Sequence, residues 1–350
     1  MNRYCVTIRR VILDLSGKFA LFFLIFLFLF SPPVYPNEPV VIVSDDEGNP
    51  VFTVSILIPG RVVTDPQGNV LSVIIPLKKV GRLLLLEAII DGKIGNFILD
   101  TGSTSLVLNE TYFRDYVPIN DVEGGGITGS TGSAYRVRIK NLKLSDLNYD
   151  NLFAEVTNLG HIENRRGVQL FGLFGMNLIK NMEIMIDSRN SELQLHKLDK
   201  AGNRLKPPTS KIIYDITGRV DEHGNMISVA VEVGEKNLDF CLDTGAESNV
   251  LDISSPQKVL STVTILRRSS LQGSGSGSNE VLLGEISDIR IQGKNIGKMN
   301  VILTNLSGLS QKYGYPINGM LGYDFFEKGK IFINLTKHEL GIILNKEVSL

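Results

Sequence analysis

Two aspartates, Asp100 and Asp243, stand in nearly the same surroundings 143 residues apart. The first copy reads Asn96-Phe97-Ile98-Leu99-Asp100-Thr101-Gly102-Ser103 and continues into Leu106-Val107-Leu108. The second reads Asp239-Phe240-Cys241-Leu242-Asp243-Thr244-Gly245-Ala246 and continues into Val250-Leu251. One Asp-Thr-Gly arises by chance about 0.07 times in a chain of this size, and Asp with Gly at a strand end also makes an ordinary turn. That explanation does not reach the pair, because each copy is followed by Gly-x-x-Gly, at Gly172–Gly175 and Gly319–Gly322. The offset between those later motifs is 147, so the repeat is colinear with about four residues inserted. Such a period builds one half-molecule twice and puts one carboxylate in each half. Two carboxylates held a few ångströms apart cannot both ionise cheaply, so they share a proton and titrate as a pair. One is then a base while the other is an acid.

The elements that must position these residues are strands. Apolar β-type runs separated by turn clusters occur at 51–58, 70–75, 82–90 and 95–99, and Asp91-Gly92 marks a hairpin that ends at Asp100. Alternating segments at 135–144 and 152–157 follow, and 182–187 and 192–196 close the first half. Residues 199–210, with Pro207-Pro208, have linker composition. The second half repeats the series from 227 to 344, and the helix best supported by the pattern follows each Gly-x-x-Gly. The boundaries expected are an N-terminal address at 1–36, an extension at 37–69, a first lobe at 70–198 and a second lobe at 211–350.

On these residues the chain resembles the aspartic peptidases of the pepsin and retroviral-protease superfamily, over roughly residues 70–345. Both lobes lie in one chain, and the likeness is nearest to compact bacterial-type members with two retropepsin-like lobes. The resemblance implies an all-β, bilobal, pepsin-like acid-protease fold with short helices, and an endopeptidase that needs no metal or organic cofactor. It makes Asp100 and Asp243 catalytic, with Thr101, Gly102, Ser103, Thr244, Gly245 and Ala246 supporting their loops. Leu173, Phe174 and Gly175, and likewise Met320, Leu321 and Gly322, would back those loops. The glycine-dense pieces around Gly129 and Gly132, and around Gly273 and Gly275, match hairpin flaps by position. The substrate implied is a polypeptide bound as an extended strand, and the chain would act as a monomer that is a pseudo-dimer. A non-catalytic peptide-binding module on the same fold, and a lobe-swapped dimer, remain the alternatives.

Several finer expectations follow. The threonines would cross-brace the loops, and the glycines would let backbone approach the carboxylates. A Ser103 hydroxyl can bond the neighbouring carboxylate and favour its ionised form, whereas Ala246 cannot. The sequence does not say which aspartate starts with the proton. Tyr135 lies near the first flap with no assigned role. Residues 38–81 are either added strands or an inhibitory segment sending Lys78 and Lys79 to the dyad.

Net charge is −1, which points to neither nucleic acid nor a basic membrane patch. Phe19–Phe30 is an uninterrupted apolar run preceded by basic residues. As a helix it spans about 18 Å against the ~30 Å hydrocarbon core, which suits a secretory segment. No small-x-small cleavage site follows, so an uncleaved membrane anchor stays open; either way the remainder is exported. Of the two cysteines, Cys5 lies in that segment and Cys241 reads as a small buried residue, so no internal disulfide is expected. His161, His196, His223 and His338 are scattered without metal spacing, and Asn109, Asn305 and Asn334 begin glycosylation sequons.

Overall fold

Each half of the chain threads its strands in one order around its Asp-Thr-Gly. A computed structural model describes residues 40–44, 50–55, 66–126, 129–223, 226–272 and 278–345. The chain divides into two compact units, Met1–Val62 and Val63–Leu350. In the first, Val40–Ser44 and Pro50–Ser55 pair antiparallel. The apolar run Phe19–Phe30, and with it the question of a signal or anchor, lies outside the described residues. Among those described, no helix is long and apolar enough to cross a membrane.

In the second unit, the first lobe orders its strands as Leu83–Ile90, Lys93–Asp100, Gly172–Gly175, Leu106–Asn109, Leu147–Thr157, Gly129–Leu144 and Asn120–Gly126. The second lobe follows the same order with Met226–Val233, Lys236–Leu242, Gly319–Leu321, Asn249–Asp252, Met299–Thr304, Ser278–Ile286 and Val263–Gln272. The hairpins entering the two motifs are alike because both turns take left-handed backbone. Asp91 and Gly92 have φ of 47° and 85°, and Gly234 and Glu235 have 54° and 62°. A two-residue turn with both residues at positive φ matches the twist of the flanking strands.

Six strands join the lobes, in the order Ser72–Pro76, Glu192–Lys197, Met182–Asp187, Gly329–Asn334, Glu339–Leu344 and Ile216–His223. At its centre Ile184 faces Ile333 and Ile186 faces Ile331. Every residue of Met182–Asp187 is buried, as expected of a strand covered on both faces. One continuous apolar cluster runs from Leu84, Phe97 and Phe174 through Ile186 to Phe240, Phe325 and Ile333. The two lobes therefore share a core as well as a sheet.

Lys78 bonds Glu87 and Asn96, and Lys79 bonds Glu327 at 3.0 Å. Both ammonium groups are thus engaged by these partners and not by Asp100 or Asp243. The stretch read as a linker is partly folded. Asp199 accepts the Ala201 and Asn203 N–H groups, and Arg204 pairs with the buried Glu183. Of the three sequons, Asn109 and Asn334 are buried with their amides bonded to the Leu170 and Gly202 carbonyls, while Asn305 is exposed. The helices differ from expectation. After each Gly-x-x-Gly come only Met176–Leu178, a single 3₁₀ turn, and Tyr323–Phe326; longer helices precede the motif, at Gly160–Arg166 and Ser307–Tyr313. Each ends on a left-handed glycine, Gly167 or Gly314, whose N–H satisfies a last-turn carbonyl. Seven residues are too few for their apolar period to stand out in a sequence.

His196 sits in the joining sheet, 7% exposed, with Ser72 Oγ 2.9 Å from Nδ1. Burial, then Arg204, push its imidazole down from 6.5 to about 4. The folded protein therefore keeps His196 neutral where the unfolded chain would already bind a proton. Stability is full above 6.5 and declines as pH falls toward 4. Urea midpoints measured across that window are expected to fall in the parent protein and to fall less in His196→Gln.

Candidate active site

Asp100 ends the strand Lys93–Asp100, and Gly172–Gly175 runs parallel beside it with Gly175 level with Asp100. Asp243 directly follows Lys236–Leu242, beside which Gly319–Leu321 runs parallel, and its N–H donates to the Leu321 carbonyl at 3.0 Å. Leu173, Phe174, Met320 and Leu321 thus hold the two aspartate strands from the side. The residues after them hold the loops: Met176 N–H donates to Ser103 O and Tyr323 N–H to Ala246 O, both at 2.9 Å. Gly175 and Gly322 make this contact possible. A Cβ on Gly175 would fall 2.1 Å from Ser105 O, and one on Gly322 would fall 2.5 Å from Ala246 O.

The two loops meet through their threonines. Thr101 Oγ1 donates to Leu242 O at 2.8 Å and accepts the Thr244 N–H at 3.0 Å. Thr244 Oγ1 donates to Leu99 O at 2.6 Å and accepts the Thr101 N–H at 3.0 Å. Both threonines are buried, so four backbone groups cut off from water are satisfied by two hydroxyls. The carboxylates are brought together across this brace. A Cβ on Gly102 would lie 2.6 Å from Asp243 Cγ, and one on Gly245 would lie 2.7 Å from Asp100 Cγ. Only a bare Cα leaves room for the opposite aspartate.

Each carboxylate is also held by its own loop. Asp100 Oδ1 accepts the Gly102 and Ser103 N–H groups at 3.0 Å, and Asp243 Oδ1 accepts those of Gly245 and Ala246 at 2.8 and 3.1 Å. These bonds favour the ionised form, yet both carboxyls are pushed above the ordinary value, with burial the largest cause. Asp100 is pushed well up, because the charge of Asp243 adds to burial. Each keeps some surface open to solvent while protein atoms pack around its other sides.

The expected role of the Ser103 hydroxyl is not what the structure has. Ser103 Oγ donates to Ser105 O at 3.2 Å, and the serine serves Asp100 through its backbone N–H, as Ala246 serves Asp243. The loop turns back on itself there, and the short hydroxyl bonds the carbonyl two residues along the chain. Gly129 and Gly132 lie in Gly129–Leu144, which forms a hairpin with Asn120–Gly126 at the edge of the first sheet. Gly273 and Gly275 lie outside the described residues; the strands flanking them pair as far as Gln272 with Ser278. Burial, Glu110 and Asp115 raise the Tyr135 phenol, so its electrostatic neighbours are on its own lobe and not the dyad. Cys241 is buried, and its thiol is pushed up to about 12 by burial and by Asp243 and Asp239.

Sequence reasoning passed over three contributors. Asn249 is buried, donates to Asn300 O and accepts the Gly322 N–H at 2.8 Å, so it fixes the turn behind Asp243. Tyr313, at the end of Ser307–Tyr313, packs on the cluster containing Cys241 and Met320. Burial and the charges of Asp100 and Asp243 raise its phenol, which places it within electrostatic reach of the pair. Arg166, at the equivalent place in the first lobe, bonds Glu247 in the other aspartate loop. The glycines after the two short helices were the one available signal for Arg166 and Tyr313.

Two strand-built lobes that present paired Asp-Thr-Gly loops to each other define a class of carboxylate-dyad protein. The sequence matches the aspartyl protease family over residues 86–178 and 229–325, and the chain belongs to that family. Among solved structures it is similar to the aspartic proteinase from Irpex lacteus, at 12% identity and a TM-score of 0.46. That likeness covers 79% of this chain and 98% of the other. A comparison with curated proteins finds no match.

Replacing Thr101 by Val removes partners from the buried Thr244 N–H and Leu242 C=O. Each orphaned group costs about 1–3 kcal/mol, so a lowered urea midpoint and reduced activity are expected together. Ser103→Ala should leave the acid limb of the pH–rate profile in place. A shift of that limb would return the hydroxyl to the role first expected of it.

Proposed function

We propose that the protein is an endopeptidase in which Asp100 and Asp243 share one proton and activate a water against a peptide carbonyl. Family membership and fold support a protease function in general terms. The observation that carries the finer reading is the opposed pair itself: two burial-raised carboxyls, each against the other's loop glycine. In this arrangement the proton rests on Asp100, beside the negative charge of Asp243. Asp243 then takes a proton from water, and Asp100 gives its own to the carbonyl oxygen as the tetrahedral centre forms. As that centre collapses and the C–N bond breaks, Asp243 gives its proton to the leaving nitrogen and a hydroxyl of the centre gives one to Asp100, so the pair holds one proton again. The substrate lies extended between the two edge hairpins and the floor carrying the dyad. The N-terminal apolar run supports export, with the peptidase outside the cytoplasm, and the pseudo-twofold pairing of lobes in one chain supports action as a monomer.

The test is cleavage of a peptide library across pH by the parent protein, Asp100→Asn and Asp243→Asn. A bell-shaped profile is expected, with each carboxamide variant reduced by about 10²–10⁴-fold. Full activity in both variants would overturn the mechanism. Stability should move the other way. The unfolded chain releases the Asp100 proton near 3.8 while the folded protein retains it, so stability falls as pH rises above that value. Asp100→Asn is therefore expected to raise the urea midpoint at neutral pH while turnover falls.

A further inference from the structure

The two aspartate loops are not held alike. Arg166 ends the helix Gly160–Arg166 in the first lobe, and its Nη2 donates to both carboxylate oxygens of Glu247 in the second. Glu247 directly follows Ala246, whose N–H is a ligand of the Asp243 carboxylate. Arg82, also from the first lobe, donates to Glu247 O at 3.1 Å and pairs with Asp324 at 2.8 Å, with its guanidinium 5.6 Å from the Tyr323 ring centre. Tyr323 N–H in turn donates to Ala246 O. The segment 246–248 is thus gripped by its own lobe on one side and by two first-lobe arginines on the other. The Arg166 and Glu247 side chains are 25% and 32% exposed, so the pair is screened less than one in open solvent. Arg166 Nη1 lies 3.1 Å from where a Cβ on Gly81 would stand, so the turn before Arg82 also packs the guanidinium in place.

The pseudo-twofold relation makes this brace one-sided. The offset of the Asp-Thr-Gly motifs carries Glu247 back to Thr104, and the later offset carries Arg166 forward to Tyr313. The same offset relates Asp324 to Asn177 and Tyr323 to Met176. None of these counterparts is charged in the way a matching ion-pair network would need. The loop of Asp100 is held by Met176 and Asn177 N–H groups donating to Ser103 and Thr104 carbonyls, all within the first lobe.

We propose that Arg166 is a positioning residue for Asp243: its bridge to Glu247, assisted by Arg82, sets the second aspartate loop from the first lobe. Alignment of the two carboxylates then depends on the Arg166–Glu247 pair, with Arg82–Asp324 beside it, crossing between lobes. This rests on the reading of Asp100 and Asp243 as a working dyad. Small displacements of a reacting group cost rate far more than they cost binding. The bridge should accordingly govern kcat and leave KM little changed.

The test compares the full chain with Arg166→Gln, Glu247→Gln and the reversed pair Arg166→Glu with Glu247→Arg. Arg166→Gln is expected to lower kcat by about ten- to a hundredfold at similar KM, and the reversed pair to recover most of that loss. Amide hydrogen exchange should quicken in residues 243–248 and not in 100–105. Arg166→Lys, which keeps the charge without the fork, replaces the glutamine variant if that does not fold, with a smaller effect of the same kind. Unchanged kcat, a reversed pair no better than Arg166→Gln and Glu247→Gln, or equal loosening of both loops overturns the proposal. If the parent protein cleaves no peptide, the dyad reading is what fails, and exchange alone judges the brace: selective loosening of 243–248 upholds it and unchanged exchange overturns it.

Discussion

The structure depends on one contact, the crossed threonines at the centre. Thr101 and Thr244 each donate to a carbonyl of the opposite lobe and accept an N–H from the opposite threonine. The two hydroxyls satisfy four buried backbone groups where the aspartate loops meet at backbone distance. Two chain reversals pressed against each other would otherwise bury unpaired N–H and C=O groups at a cost that few apolar contacts could offset. The glycine after each threonine completes the condition, since a methyl group there would overlap the facing carboxylate.

Around this centre the symmetry is close where geometry is set and loose where charge is set. Strand order, hairpin turns, backing strands and threonine bonds all repeat between the halves. The side chains that surround the carboxylates do not. Arg166 has Tyr313 as its counterpart, Glu247 has Thr104, and Ala246 has Ser103. A twofold scaffold holds two carboxylates equally well, but unequal surroundings raise them unequally. Burial and the neighbouring charge raise Asp100 the more.

The sheet that joins the lobes carries a second kind of asymmetry. Its two central strands carry matched isoleucines and, at one end, Glu183 beside Arg204 and Asn334, while a flank holds His196 beside Ser72. The buried His196 ties the joint to a particular range of pH. A His kept neutral by burial opposes acid conditions, which sets the stability of the frame against any acid preference of the dyad.

The paired motifs, their offsets and the strand pattern were legible in the sequence because a repeat shows itself without any knowledge of contacts. Asp-Thr-Gly and Gly-x-x-Gly are local, and the need for glycine at a close approach is written at the position that approaches. The bonding of the Ser103 hydroxyl was not legible, since Ser105 O and the Asp100 carboxylate are both within its reach along the chain and only the folded loop chooses. The seven-residue helices were too short to show a period, and with them Arg166 and Tyr313 went unseen. Sequence alone determined that there are two carboxylates and two loops built to meet. The tertiary structure decided what surrounds them, because Arg166 and Glu247 lie 81 residues apart and are joined only by the closing of one lobe on the other.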